Sequence, residues 1–201
     1  MTMTQPTRRS FLAGALVAAG ALSACAPAKP SFKSFDLTGA DYALGFDLTD
    51  QRGQRRSLSD FKGRVVLVFF GYTQCPDACP TAMFQLAELK RGLGAKGDMV
   101  QGVFVTLDPE RDSAEMLKAY VENFDPSFVA LVPTLPELEA VATHYKVYRK
   151  KVAGPTPTSY TMDHLAGFYM YDMQGRLRLF SRPNMSTADL QSDVASLLEG
   201  R

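Results

Sequence analysis

"RVVLVFFGYTQCPDACP", residues 64–80, sets the centre of the fold and poses the chemical question at the same time. From Val65 to Phe70 the run is apolar without interruption and rich in β-branched and aromatic side chains, as suits a central strand covered on both faces. Gly71 to Gln74 then break the pattern, so Cys75 lies in the loop leaving that strand. Cys79 falls near the start of the next helix, where Pro80 suits the first turn because its missing N–H costs nothing there. Met83, Leu86, Ala87 and Lys90 recur on successive turns and predict a helix that follows Pro80 and ends near Gly92. Both thiols are thereby placed where exposed N–H groups and the helix dipole favour a thiolate. Their C-x3-C spacing is one residue wider than the C-x2-C of redox motifs. Two sulfurs at this separation can close a disulfide or grip one soft metal ion. A purely structural bridge would close so small a loop that it removes little unfolded-state entropy.

Outward from this stretch, strand-like and helix-like segments alternate. "LGFDLTDQRGQRRSL" (residues 44–58) predicts a hairpin turning at residues 50–53, and "MVQGVFVTL" (residues 99–107) a second buried strand. Asp112 with Glu115 three residues on predicts a capping box for a helix over residues 113–123. "FVALV" (residues 128–132) is strand-like, and Leu135, Leu138, Ala142 and Tyr145 mark a further helix. "GFYMYDM" and "RLRLF" flank a turn at Gln174 and Gly175, and an amphipathic helix closes the chain over residues 186–198. This order predicts an α/β fold with a central mixed sheet flanked by helices and an N-terminal hairpin extension.

The N-terminus points to a compartment. "TRRSFLAGALVAAGALSAC" (residues 7–25) carries Arg8 and Arg9 before an apolar stretch from Phe11 to Ala24. At about 1.5 Å per residue that stretch reaches about 21 Å, short of a hydrocarbon core of about 30 Å. It reads as a targeting segment and not as fold. Residues 7–12 resemble a twin-arginine export signal and residues 22–25 the lipobox of bacterial lipoproteins, in which the cysteine becomes the lipidated first residue. The expected organisation is a signal peptide over 1–24, a lipidated Cys25 with a Pro- and Ser-containing tether over 25–40, and one domain over 41–201. The expected location is an exported, membrane-anchored lipoprotein facing the periplasm or another extracytoplasmic space. Removal of the signal takes two of the 22 basic residues and none of the 21 acidic ones, so the formal charge passes from +1 to −1. That balance indicates neither a nucleic-acid binder nor an acidic tail. With 46% hydrophobic residues the domain can bury a core without disulfide staples, which leaves Cys75 and Cys79 free for chemistry.

Two sulfurs alone do not separate redox work from metal binding; a third ligand would. The chain has two histidines. His144 lies within a predicted helix, as an ordinary partly exposed residue. His164 follows the loop "GPTPTSYTMD" and is expected at an irregular turn able to present a side chain.

"GYTQCPDACP", "FVTLDPERDS" and "YTMDHLAGFYMYDMQGR", in this order, resemble the Sco/SenC family of copper-binding proteins for cytochrome c oxidase assembly, over nearly all of residues 41–201. The resemblance implies a thioredoxin-like fold and one copper per chain, as Cu(I) or Cu(II), held by Cys75, Cys79 and His164. It also implies a redox disulfide between Cys75 and Cys79 as an alternative state. The implied partner is the CuA domain of cytochrome c oxidase subunit II, with another extracytoplasmic copper chaperone or thiol reductase as a further partner. Gln74 stands where many relatives have histidine and Leu165 where they commonly have serine; neither position is a family ligand. Asp108 and Arg111 match the family's D-P-x-R-D stretch and, with Asp77, are candidates for site support, the first two as an ion pair or loop brace. Two thiolates suit Cu(I), and an added imidazole makes a set that also holds Cu(II). Met83, Met162, Met170 and Met173 read as core filling in preference to a methionine copper shelf. Arg149, Lys150 and Lys151 form a solvated basic cluster that could meet an acidic partner. The leading expectation is a membrane-tethered copper chaperone that helps deliver copper to the CuA centre. The alternatives are a thiol–disulfide reductase keeping the CuA-site cysteines reduced and a copper or redox sensor. No other nucleophile, phosphate loop or carboxylate-rich metal site points to hydrolase or kinase chemistry.

Overall fold

The computed structural model describes residues 31–201, apart from 157, 158 and 183. Strand β4 (Val65–Gly71) is buried along its whole length, as its unbroken apolar run requires. It pairs in parallel with β5 (Val100–Thr106), which pairs in parallel with the short β6 (Val129–Leu131). On the other side β4 pairs antiparallel with β9 (Phe168–Tyr171), which continues through β10 (Leu177–Phe180) to β1 (Phe35–Asp36). The six-stranded order is β1-β10-β9-β4-β5-β6.

Helix α1 (Ala78–Gly92) follows β4, α2 (Ala114–Glu122) follows β5, α3 (Leu135–Tyr145) follows β6, and α4 (Thr187–Leu198) closes the chain. Alternate residues of β4 and β5 face opposite layers. Phe69 and Phe104 face one layer, where Phe104 packs against Tyr120 of α2 and where α1 and α4 lie against each other. Phe70 faces the other layer and meets Tyr145 of α3 with ring centroids 4.9 Å apart. Helices on both faces of a mixed sheet give the expected thioredoxin-like arrangement.

The hairpin expected at residues 44–58 is present as β2 (Asp47–Thr49) and β3 (Arg55–Ser57). Asp50 builds its turn by accepting from the backbone of Arg52 and Gln54 and from Arg56, and Gly53 takes the left-handed φ of 76° that follows.

Three local readings need correction. Strand β1 and the buried Ser34 fall inside the stretch read as tether, and Asp193 of α4 accepts from the backbone N–H groups of Lys33 and Ser34. Ordered structure therefore begins ahead of residue 41, and Cys25 with the export and lipobox motifs lies outside the described residues. The cap of α2 is Ser113, whose hydroxyl accepts from Met116 N, while Asp112 turns inward. The third correction concerns residues 149–164. The stretch past α3 forms β7 (Arg149–Ala153) and β8 (Tyr160–His164), an antiparallel pair that is its own two-stranded sheet. His164 thus ends a strand of a hairpin. Its partner β7 is exposed at four of five positions, so little apolar patterning marks the pair.

Gly71, the last residue of β4, shows how closely the Cys79 thiol is packed. A Cβ there would stand 2.8 Å from Cys79 Sγ, 2.9 Å from Phe69 and 3.0 Å from Phe104. Overpacking of this kind costs about 1–3 kcal/mol. Gly71→Ala is therefore expected to lower the melting temperature by about 2–12 °C, at about 2–4 °C per kcal/mol for a domain of this size. An unchanged melt with unaltered Cys79 reactivity would refute this account of the site wall.

Candidate metal centre

The first turn of α1 supplies Cys79, and the loop before it supplies Cys75. Asp77 occupies the N-cap position, so the backbone N–H groups that open the helix have no intrahelical acceptor. Those of Asp77 and Cys79 turn to Cys75 Sγ, Cys79 N at 3.4 Å. Cys75 is half-buried and Cys79 fully buried, and both are free thiols.

His164 comes to them from the end of β8. Its Nε2 lies 3.5 Å from Cys79 Sγ, and its ring stands edge-on to Phe69 and Tyr72, at interplanar angles of 87° and 83°. With the ring proton on Nδ1, that nitrogen donates to the Leu165 carbonyl at 3.2 Å and leaves the Nε2 lone pair facing the sulfurs. The carbonyl that holds the ring is common to any residue, so leucine at position 165 leaves this contact intact.

The three ligand atoms lie within 4.8 Å of one another. Thiolate and imidazole ligands about 2.0–2.3 Å from a first-row ion stand roughly 3.5–4 Å apart. A small contraction therefore closes the set on one ion. Among the described residues this is the one His/Cys/Asp/Glu group of three that meets the distance condition for a metal.

The two thiols are electrostatically unequal. The hydrogen bond from Cys79, helped by the N–H groups of Asp77 and Cys79, holds Cys75 down at about 5 against the burial that opposes it. Sharing that same hydrogen bond pushes Cys79 up, and burial adds to it. Cys75 is the resident thiolate and Cys79 the proton carrier of the pair.

The other residues singled out in the sequence take distinct places. Asp77 is exposed, and its carboxylate accepts from the Thr81 hydroxyl at 3.3 Å while its backbone serves Cys75. Asp108 is buried and pairs with Arg111. His144 is exposed at the end of α3, and its Nε2 accepts from Leu44 N at 2.8 Å; it is no member of the ligand group. Met83, Met162 and Met170 are buried and Met173 packs against the core, as core filling requires. Of the basic cluster, Arg149 pairs with Glu139 and Lys151 with Glu110.

Asp112 is the supporting residue whose place sequence reasoning missed. Buried, it accepts from Thr73 N at 3.1 Å, from the Thr73 hydroxyl at 2.5 Å and from the Thr106 hydroxyl at 2.5 Å. Burial pushes its carboxyl up, and these hydrogen bonds pull against that. The loop entering Cys75 is thereby tied to the end of β5. The second aspartate of D-P-x-R-D was the available signal.

The SCO1/SenC family model matches residues 36–199. The SCO2-like protein of Rickettsia prowazekii is 31% identical over 177 residues, which is 85% of this chain and 86% of that protein. The structure of Bradyrhizobium japonicum ScoI with copper bound is similar at a TM-score of 0.69 and 38% identity, over 77% of this chain and 98% of that one. The apo Sco1 protein of Thermus thermophilus is similar at a TM-score of 0.73 and 33% identity, over 87% and 99%.

Proposed function

Because this chain belongs to the SCO1/SenC family, we propose that it is a copper carrier in cytochrome c oxidase assembly, whose cargo is passed to the CuA centre of subunit II. The observation that carries this reading is the convergence of Cys75, Cys79 and His164 within 4.8 Å, in a fold shared with a copper-bound relative. The two thiolates supply soft donors for Cu(I), and His164 adds the imidazole with which the same cage holds Cu(II). Cys75 and His164 are half-buried, so an incoming ligand can reach the ion from their side, while Cys79 anchors it from within. The working position is outside the cytoplasm, with acylated Cys25 as membrane anchor. No helix among the described residues is long and apolar enough to cross a membrane.

The test is transfer. Copper-loaded protein mixed with the metal-free CuA domain of subunit II is expected to lose its copper as the CuA absorption bands appear. Retention of all copper on the carrier, with a CuA domain that accepts free copper, would overturn the reading.

The unequal thiols favour a second reading, reduction of a disulfide in the CuA site. The half-buried Cys75 thiolate would attack one target sulfur and release the other as thiolate. Cys79, losing its proton, would then attack Cys75 and free the target, leaving a Cys75–Cys79 disulfide. Two electrons pass to the target, and an extracytoplasmic dithiol must restore the pair.

A further inference from the structure

His164 and the two cysteines belong to parts of the fold that share no strand pairing. The β7–β8 sheet is hydrogen-bonded within itself and stands apart from the six-stranded sheet that carries β4 and, through its loop, Cys75. The chain passes from His164 to β9, which pairs with β4, through residues 165–167 alone, and the other end of the hairpin needs its own tie to the cysteine loop. The turn over residues 108–112, between β5 and α2, touches both parts. Toward the cysteine loop, Asp112 holds Thr73, and Arg111 Nη1 donates to the Gln74 side chain at 3.1 Å, next to Cys75. Toward the hairpin, the same Nη1 donates to the Tyr160 carbonyl at 3.0 Å, and the guanidinium lies 3.4 Å from the Tyr160 ring centroid. Asp108 fixes both partners, accepting from Arg111 Nε and, at 2.7 Å, from the Tyr160 hydroxyl. Tyr160 opens the strand that His164 ends. Tyr72 makes a lesser second tie through the backbone of Met162.

We infer that Arg111 is a positioning residue for copper: its guanidinium bridges the residue before Cys75 to the first residue of the His164 strand and so sets the sulfur-to-imidazole distance. The inference rests on the copper reading and deepens it. A planar fork is needed because donors must point in two directions while the face stacks on an aromatic ring; an ammonium provides a point charge and no plane. The consequence is selective for oxidation state. Loosening the hairpin withdraws the imidazole, which Cu(II) needs, and leaves the dithiolate, on which Cu(I) can remain.

The experiment compares the soluble domain with Arg111→Met, Arg111→Lys and Gln74→Ala. Competition titrations with Cu(I) and Cu(II) are read beside the Cu(II) paramagnetic resonance spectrum, in which histidine nitrogen splits the copper signal. For Arg111→Met the expected result is Cu(II) binding weaker by about 10–100-fold, the range for residues that orient metal ligands, with the nitrogen splitting reduced and Cu(I) binding retained. Arg111→Lys should not rescue the spectrum. Gln74→Ala removes one end of the bridge while Asp108, Arg111 and Tyr160 stay in place, so it keeps the test open should Arg111→Met fail to fold. It should weaken Cu(II) in the same sense, by less. A wild-type Cu(II) affinity and spectrum in the folded variants overturns the inference, as does equal weakening of Cu(I) and Cu(II). Failure of the unsubstituted protein to bind Cu(II) overturns the copper reading itself, and the two failures are told apart by that wild-type control.

Discussion

Replacing Cys75 and Cys79 together by serine is expected to abolish copper binding, from one ion per chain to none, in both oxidation states. A serine hydroxyl stays protonated and hard where the site needs a soft thiolate, and His164 alone cannot hold Cu(I). Because Cys79 is fully buried, its serine variant also places a hydroxyl inside the core, at a cost of about 1–3 kcal/mol if that hydroxyl finds no partner. Cys75→Ser alone avoids this cost, since Cys75 is only half-buried, and should lose tight binding with a normal melt. The same thiols set the acid sensitivity of Cu(I). With Cys75 held down at about 5 and Cys79 pushed up, binding near neutral pH displaces one thiol proton, from Cys79. Affinity should therefore fall about ten-fold per pH unit on acidification, and more steeply once Cys75 also protonates below about 5. Competition against a Cu(I) chelator across pH 4.5 to 8, conditions chosen for about this range, checks both points. Undiminished copper in the double variant would remove the assignment of these ligands.

His164→Ala is expected to separate the two readings of function. Cu(II) binding should weaken by at least about 100-fold, the upper end of what outer-sphere substitutions alone do, while Cu(I) persists on the thiolates. Among the described residues the half-buried imidazole meets the rings of Phe69 and Tyr72, the Cys79 thiol and the Leu165 carbonyl, none of them a backbone pairing of the sheet, so its truncation should leave the fold intact, which a thermal melt in the same preparation verifies. The decisive readings are CuA oxidase activity in cells carrying only this variant and the disulfide-reducing rate of the purified domain. Thiol exchange needs access, thiolate and a leaving sulfur, none of which requires this imidazole. Lost oxidase activity beside a normal reducing rate supports the carrier. Full oxidase activity in the variant would overturn the carrier and leave the reductase.

Much of the scaffold was legible because the elements concerned are patterned by burial. The apolar runs of β4, β5 and β9 can satisfy both their backbone and their side chains only in the middle of a sheet, and the spaced apolar residues of α1 and α4 only against its face. The β2–β3 hairpin was equally legible, because Asp50 and Gly53 state the turn chemistry locally. The strand carrying His164 was not. β8 does alternate, with half-buried Tyr160, buried Met162 and half-buried His164 between exposed Thr161 and Asp163, but over only five residues, and its partner β7 has no buried residue to mark the pairing.

Sequence by itself determined the strand-loop-helix that carries Cys75 and Cys79, because the helix start, Pro80 and the thiol spacing are all local. Through the order of its motifs it also singled out His164, though not what holds that residue in place. Only the tertiary structure decided the inward turn of Asp112, the approach of His164 to the Cys79 thiol and the bridge through Arg111. Each depends on groups far apart in the chain meeting in a desolvated space: Thr73 with Asp112, Cys79 with His164, Gln74 with Arg111 and Tyr160. A hydrogen bond between such groups has no period and no local propensity, so it leaves no pattern in the sequence until packing brings its partners together.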